Sequence, residues 1–252
     1  MPSWKEVREK EKQANLQRKS DRREVQLQQM TTEQLEIYDE AHRIFKIEKI
    51  NEQRAEKQIQ KSRAQQAKPL IIDLAYYELM KPAEIKSLHQ QIMFCYSISL
   101  KSLNPLKMSL YNYKEQVLEM QKVHGFDDWI IDKTDTTLDE QIKGLRENGK
   151  DVPYIYLSGD AETEISSFDV SKIYIIGGLV DRNRHKNAAL NRANELGIPS
   201  VKINLKQFAQ LKSSQIIAVN HIFEMMTKLN ENGDLKEAVL EVLPGRKVQK
   251  AK

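Results

Sequence analysis

The chain of 252 residues contains one cysteine, Cys95, which excludes an intramolecular disulfide framework and a multi-cysteine metal site. A reducing, soluble compartment is the default that follows, cytoplasmic or nuclear. No apolar run approaches the roughly 18–20 residues that a membrane span needs. The opening Met-Pro-Ser-Trp-Lys-Glu-Val-Arg has no apolar core behind it, so a secretory signal is not expected. Glycine and proline are missing from most of the first quarter. Between Trp4 and Lys68 there is no glycine, and the single proline ahead of Pro69 is Pro2. Phosphate-cradling motifs are absent too. No Gly-x-Gly-x-x-Gly follows the first apolar run, and no Gly-x-x-x-x-Gly-Lys-Ser/Thr occurs. A Gly-x-Ser-x-Gly nucleophile elbow is likewise lacking. The five histidines, His42, His89, His124, His185 and His221, show no paired metal-ligand spacing, so no metal is expected.

What is present begins with charge. Residues 1–68 hold 16 Lys+Arg against 12 Asp+Glu, and the whole chain holds 40 against 36, so the remainder balances at 24 against 24. The entire excess of +4 sits at the N-terminal end. That distribution fits a nucleic-acid-facing extension on a neutral domain; a solvated charged helix is the plainer reading. Composition rich in Glu, Lys, Gln, Arg and Ala favours helix. Thr31-Thr-Glu-Gln34 reads as a helix start, and Ile37, Ala41 and Ile44 recur at helical spacing. These features predict a long, mostly polar helix over 33–65, with residues 1–30 helical on a partner. Lys46, Lys49, Arg54, Lys57, Lys61 and Arg63 are its candidate phosphate contacts.

At Pro69 the texture changes. Residues 70–74 read as a buried strand and 82–95 as a helix with Ile85, Leu88, Ile92 and Cys95 on one face. Further strands are expected at 108–113, 129–131, 154–157, 173–176 and 201–203. Helices are expected at 114–123, 136–148, 184–196, 213–229 and 235–243. Alternating strands and helices over 69–245 predict an α/β domain with a mainly parallel sheet, between the basic helical extension 1–68 and a basic tail, 246–252. Ligands of such sheets sit beyond the carboxyl ends of the strands. Three loops leave such ends: 158–161, 177–186 and 204–214. In the second, two glycines allow close backbone approach to a ligand, and Asp181 stands at the loop mouth. A tight turn with Asp181 and Asn183 as ordinary helix caps fits the same pattern.

Several segments resemble the tRNA guanine-9 N1-methyltransferase family, a branch of the SPOUT (trefoil-knotted) methyltransferases. They are Tyr156-Leu-Ser-Gly-Asp160, Tyr174-Ile-Ile-Gly-Gly-Leu-Val-Asp-Arg-Asn-Arg-His-Lys186, Leu196-Gly-Ile-Pro199, Ala218-Val-Asn-His221 and Val242-Leu-Pro-Gly-Arg-Lys247. Ile72-Asp-Leu74, Glu78-Leu-Met80 and Gln91 fit the family's first strand and helix. The resemblance covers about 69–247. It implies a SPOUT-type α/β fold with a C-terminal trefoil knot that holds S-adenosylmethionine and releases S-adenosylhomocysteine. Carried over by position, the pocket comprises Leu157, Gly177, Asp181, Arg182, Asn183, Arg184, His185, Ala189, Ile203, Leu205, Gln215, Ile216, Ile217 and Ala218. A monomer is implied, with tRNA as partner and the extension taking part in its binding. Asn204-Leu205 departs from the Leu-Pro that the family often has there.

The implied chemistry asks for a base. Guanine N1 carries a proton at neutral pH, so methylation requires its removal before or during attack, and a carboxylate beside the pocket can take it. Asp181 is the candidate catalytic residue, with Asp73 second, for orientation of the base or donor. Arg182, Arg184 and Lys186 are expected nearer the target base. Methylation of N1 of adenine at the same or another tRNA position, and a non-catalytic RNA-binding adaptor on a degenerate SPOUT fold, both remain open at this point.

Overall fold

A computed structural model describes residues 4–123, 125–150, 152–182, 184–210 and 217–243. The chain divides into two compact units, residues 1–57 and 58–252. The first holds helix α1 (Trp4–Gln28) and most of α2 (Thr32–Gln66). A capping box closes the start of α2: Thr31 Oγ1 accepts from the Gln34 N–H at 3.3 Å, and Gln34 Oε1 accepts from the Thr31 N–H at 2.9 Å. Lys46, Lys49, Arg54 and Lys57 are exposed. At about 100° per residue they share one helix face. The second unit starts inside α2, ahead of Pro69, and Ala64 is fully buried there. Lys61 and Arg63 are half-buried, and the Arg63 Nε is buried without a hydrogen-bond partner.

Six parallel strands form the second unit's sheet, in the order β3-β2-β1-β5-β4-β6. They are β1 (Pro69–Asp73), β2 (Lys107–Tyr111), β3 (Asp132–Lys133), β4 (Tyr154–Leu157), β5 (Ile173–Gly177) and β6 (Ser200–Val201). Both faces are covered, which is why the strands read as continuous apolar runs rather than alternating ones. Leu70, Ile72, Met108 and Leu110 pack with the helices α3 (Pro82–Lys101), α7 (Val219–Asn232) and α8 (Leu235–Val242). Ile71, Tyr156 and Ile175 pack on the other face with α5 (Leu138–Glu147) and α6 (Ala188–Leu196). From β1 the chain builds outward to β3, then crosses to β4 and inserts β5 beside β1. The β1–β5 boundary is therefore the topological switch point.

Several predicted elements differ. The helix expected over 114–123 is one turn, α4 (Glu115–Leu118), because Glu119 adopts a left-handed φ of 51° that breaks the ladder. Residues 129–131 form no strand; Trp129 instead stacks on Tyr96 at 4.0 Å between centroids, and pairing begins at Asp132. The helix expected from Arg184 starts at Ala188, since Arg182 (φ 53°) and Asn187 (φ 60°) are left-handed. The helix expected from Ser213 is described from Val219, with residues 211–216 outside the described ones. The strand expected over 201–203 is shortened to Ser200–Val201, with Lys202 only bridging to Glu164.

Candidate active site

Asp73 ends β1 in register with Gly177, which ends β5. The switch point therefore gathers the loop that holds Asp181. Gly178 donates its N–H to the Asp73 carbonyl at 2.8 Å. A Cβ on Gly178 would lie 2.9 Å from that oxygen and 2.8 Å from Leu74 Cδ2, so this glycine exists for close approach to β1. A Cβ on Gly177 would meet the Tyr76 ring and hydroxyl at 3.3 Å. Sequence pattern alone offers both glycines as space for a ligand. The structure assigns the second to strand packing.

Asp181 is 7 % exposed, and its Oδ2 accepts the His185 N–H at 2.7 Å. It thus caps the turn that precedes α6, not the helix itself, whose first flanking residue is Asn187. Arg184 folds back across this turn: its Nε donates to the Asp181 carbonyl at 3.0 Å, and its Nη2 meets Glu84 Oε2 at 2.6 Å. Arg182 and Lys186 are exposed, and His185 and Ala189 half-buried.

The other residues carried over by resemblance gather at the same end of the sheet. Leu157 ends β4, and Leu205 follows β6; both are buried in the core that the half-buried Ile203 and Ile217 join. Ala218 caps α7, whose Val219 N–H donates to Gln91 Oε1 at 2.8 Å. Loops after β4 and β6 are tied by Glu164, which accepts from Asn204 Nδ2 at 2.8 Å and Gln207 Nε2 at 2.6 Å. Asn204 therefore has a defined anchor. Asn183, Gln215 and Ile216 lie outside the described residues, as do the tail 246–252 and His124.

One constellation has no simple sequence signature. Tyr156 donates its hydroxyl to Asp73 Oδ2 at 3.2 Å, and the Tyr76 and Tyr156 hydroxyls lie 2.6 Å apart. Arg192 of α6 places Nε 3.1 Å from the same Asp73 oxygen and Nη2 2.5 Å from Asp139 Oδ2. Asp73 is fully buried, and that burial raises its pKa above the usual carboxylate value although Arg192 pulls it back. Burial opposes the charge on Arg192, but Asp139 and Asp73 outweigh it and raise its pKa. The pair is thus favourable for the cation and costly for the buried anion. An arginine in the middle of a helix reads from sequence as a solvated charge, so sequence reasoning passes over Arg192.

A cleft of about 450 Å³ opens beside this network, lined by Tyr76, Glu78, Leu79, His185, Lys186 and Arg192 among others. A second groove, about 380 Å³, runs between α3 and α7 and contains none of the matched pocket residues. Among the described residues there is no cluster of His, Cys, Asp and Glu arranged for a metal, and no helix is long and apolar enough to cross a membrane.

Comparison with known proteins agrees with the geometry. The family model described as "tRNA (guanine(9)-N(1))-methyltransferase TRM10/TRM10A" matches residues 2–248. The "tRNA methyltransferase 10 homolog A" of Rattus norvegicus is 34 % identical over 178 residues, 71 % of this chain and 52 % of its own. The "tRNA (guanine(9)-N1)-methyltransferase" of Schizosaccharomyces pombe is 32 % identical over 186 residues, 71 % of this chain and 58 % of its own. The chain spans about half the length of the curated relatives it matches. The crystal structure of full-length spTrm10 in complex with SAH superposes with a TM-score of 0.61 at 30 % identity, covering 71 % of this chain and 98 % of that one. With a parallel sheet whose switch point carries the turn from Gly177 to Asp181, and with the family model matched along nearly its whole length, this chain belongs to the tRNA (guanine(9)-N(1))-methyltransferase TRM10/TRM10A family.

Proposed function

We propose that the chain methylates N1 of guanine at position 9 of tRNA, with S-adenosylmethionine as donor. The observation that carries this is the placing of a buried carboxylate, Asp181, on the turn that leaves β5 at the switch point, beside the apolar residues at the ends of β4 and β6. The residues fit the donor. Leu157, Ile203, Leu205 and Ile217 offer apolar surface to an adenine ring, and the Asp181 carboxylate complements a sulfonium charge. When bound, the donor supplies an electrophilic methyl group. The loops after β4, β5 and β6 would form the trefoil knot around it, and the relative solved in complex with SAH supports a donor of this class.

Asp181 would take the N1 proton of the guanine, whose lone pair then becomes available to the methyl carbon. The His185 N–H holds that carboxylate, and the Gly178 N–H ties the start of its turn to β1. The remaining acceleration comes from alignment, which a fixed pocket provides by removing translational and rotational freedom. A flipped-out base is required, as for other enzymes that act on a base. Mass spectrometry of unmodified tRNA incubated with the protein and labelled donor tests the reading. A label on N1 of G9 is expected; a label on adenine N1, or none, rejects the assignment.

Binding of the donor is expected to raise the unfolding free energy by about 2.7 kcal/mol at one hundred times its dissociation constant. No thermal shift at saturating S-adenosylmethionine would argue for a degenerate adaptor instead. The exposed Lys46, Lys49, Arg54 and Lys57 would contact tRNA phosphates. Replacing all four with alanine is expected to flatten the salt dependence of tRNA affinity, by about 1 in log–log slope for each phosphate no longer neutralised. A salt titration with unchanged slope would remove α2 from the interface.

A further inference from the structure

The network behind the glycine turn has a direction. Arg192 cannot accept a hydrogen bond, so the Asp73 oxygen facing it is an acceptor. Tyr156 has one hydroxyl proton and donates it to that same oxygen. The 2.6 Å contact between the two tyrosines must therefore be filled by the Tyr76 proton, donated to Tyr156. The charge on Arg192 thereby fixes the order of protons through Asp73 and Tyr156 to Tyr76. Tyr76 in turn packs where a Cβ on Gly177 would stand, 3.3 Å away, and the Asp73 carbonyl holds the Gly178 N–H. Four segments meet here: α6, the end of β1, β4, and the short 3-10 turn entered at Tyr76. All bear on the turn that carries Asp181.

We infer that Arg192 is a positioning residue for methyl transfer, acting through Asp73, Tyr156 and Tyr76 to set the turn from Gly177 to Asp181 against β1. This rests on the function proposed above. Arg192 itself is 13 % exposed at its side chain and anchored on its far side by Asp139, with Glu195 at 3.7 Å. Without it the Asp73 carboxylate would be fully buried with only hydroxyl and backbone donors, and burial would raise its pKa further, so that it takes up a proton more readily. A protonated Asp73 becomes a donor, the order of the two tyrosine protons is no longer imposed, and the turn loses its register. The groups that face Asp73 are Arg192 and, beyond it, Asp139 and Glu195 from α5 and α6, Tyr156 from β4, Tyr76, and Tyr111, which is paired with it on β2.

The full-length protein is assayed for methyl transfer to unmodified tRNA over pH 5–9, as wild type, Arg192→Met, Asp73→Asn and the double variant. Arg192→Met is expected to lose at least tenfold in kcat while KM for S-adenosylmethionine moves less than threefold. Its acid limb is expected to rise by a pH unit or more. Adding Asp73→Asn removes the group that titrates, so the limb returns to its wild-type place; the neutral amide stands in for a protonated Asp73, so kcat stays as low as in Asp73→Asn alone and the two losses do not add. A merely structural role for Arg192 predicts losses that add in the double variant and a limb that does not move; either that pattern or wild-type kcat in Arg192→Met overturns the inference. Tyr156→Phe keeps the ion pair and the volume while cutting the chain, and is expected to lower kcat at least fivefold with donor KM retained; unchanged kcat also overturns it. If the wild-type chain transfers no methyl group, the functional reading fails, and the link is decided by unfolding against pH. A raised folded pKa gives stability at low pH that is lost as pH rises through it. The deficit of Arg192→Met is therefore expected to grow as pH rises through the raised Asp73 pKa and to stop growing with Asp73→Asn added; a pH-independent deficit rejects the coupling.

Discussion

Asp181→Asn is expected to lower the methyl-transfer rate by about 10²–10⁴-fold, the usual contribution of a positioned general base, with little change in protein stability. The geometry makes this substitution informative. The Asp181 side chain serves two purposes that asparagine separates: an oxygen that accepts the His185 N–H at 2.7 Å, and a negative charge able to take a proton. Asparagine keeps the first and removes the second. Asp181→Ala removes both, leaving the His185 N–H without this acceptor and loosening the turn between Gly178 and Ala188; that costs about 1–3 kcal/mol for a buried donor. The two variants should therefore share a low rate but differ in unfolding midpoint and in donor affinity. Single-turnover methylation and thermal unfolding of both, side by side, provide the check. If asparagine turns over near the wild-type rate and alanine does not, Asp181 is a turn cap and the base lies elsewhere.

That contrast between cap and base marks how far sequence reaches. The fold class is legible because both faces of the sheet are covered, so residues 70–74, 154–157 and 173–176 advertise themselves as short apolar runs between helical stretches. Family-level identity is legible in the block from Gly177 to Lys186, now supported by the match over residues 2–248. Local detail is not. Nothing in Trp129-Ile-Ile131 distinguishes a strand from a segment whose tryptophan stacks on Tyr96 of a distant helix. The late start of α6 depends on left-handed residues at 182 and 187, and Arg182 is a poor advertisement for φ above zero. Asp73 stands out at the end of a strand, but the arginine 119 residues later that neutralises it does not. Long-range charge pairing leaves no trace in local pattern. Its companion Tyr156 reads as one more apolar strand residue until its hydroxyl is seen on Asp73.

Gly178→Ala is expected to disable the protein where Gly177→Ala only weakens it, although the two glycines are adjacent and neither has a positive φ. At 178 the new methyl would meet the Asp73 carbonyl at 2.9 Å and Leu74 Cδ2 at 2.8 Å, with Ile72 Cγ2 at 3.3 Å. Leucine can rotate, but the carbonyl belongs to the central strand and accepts the Gly178 N–H itself. Relief therefore means moving β5 off β1, against a ladder paired from Leu70 to Asp73. Overpacking of this kind costs about 1–3 kcal/mol or more, and the displacement falls on the turn that carries Asp181. At 177 the nearest atoms belong to the Tyr76 and Tyr156 side chains at 3.3–3.4 Å, contacts a few tenths of an ångström can relieve. The expected outcome is a lowered unfolding midpoint and loss of methyl transfer in Gly178→Ala. Gly177→Ala should keep a near-wild-type midpoint with a moderate fall in rate, because Tyr76 must shift within its hydrogen-bonded pair. Equal midpoints for the two variants would mean that the β1–β5 contact is softer than its distances imply, and that the paired glycines serve a ligand rather than the sheet.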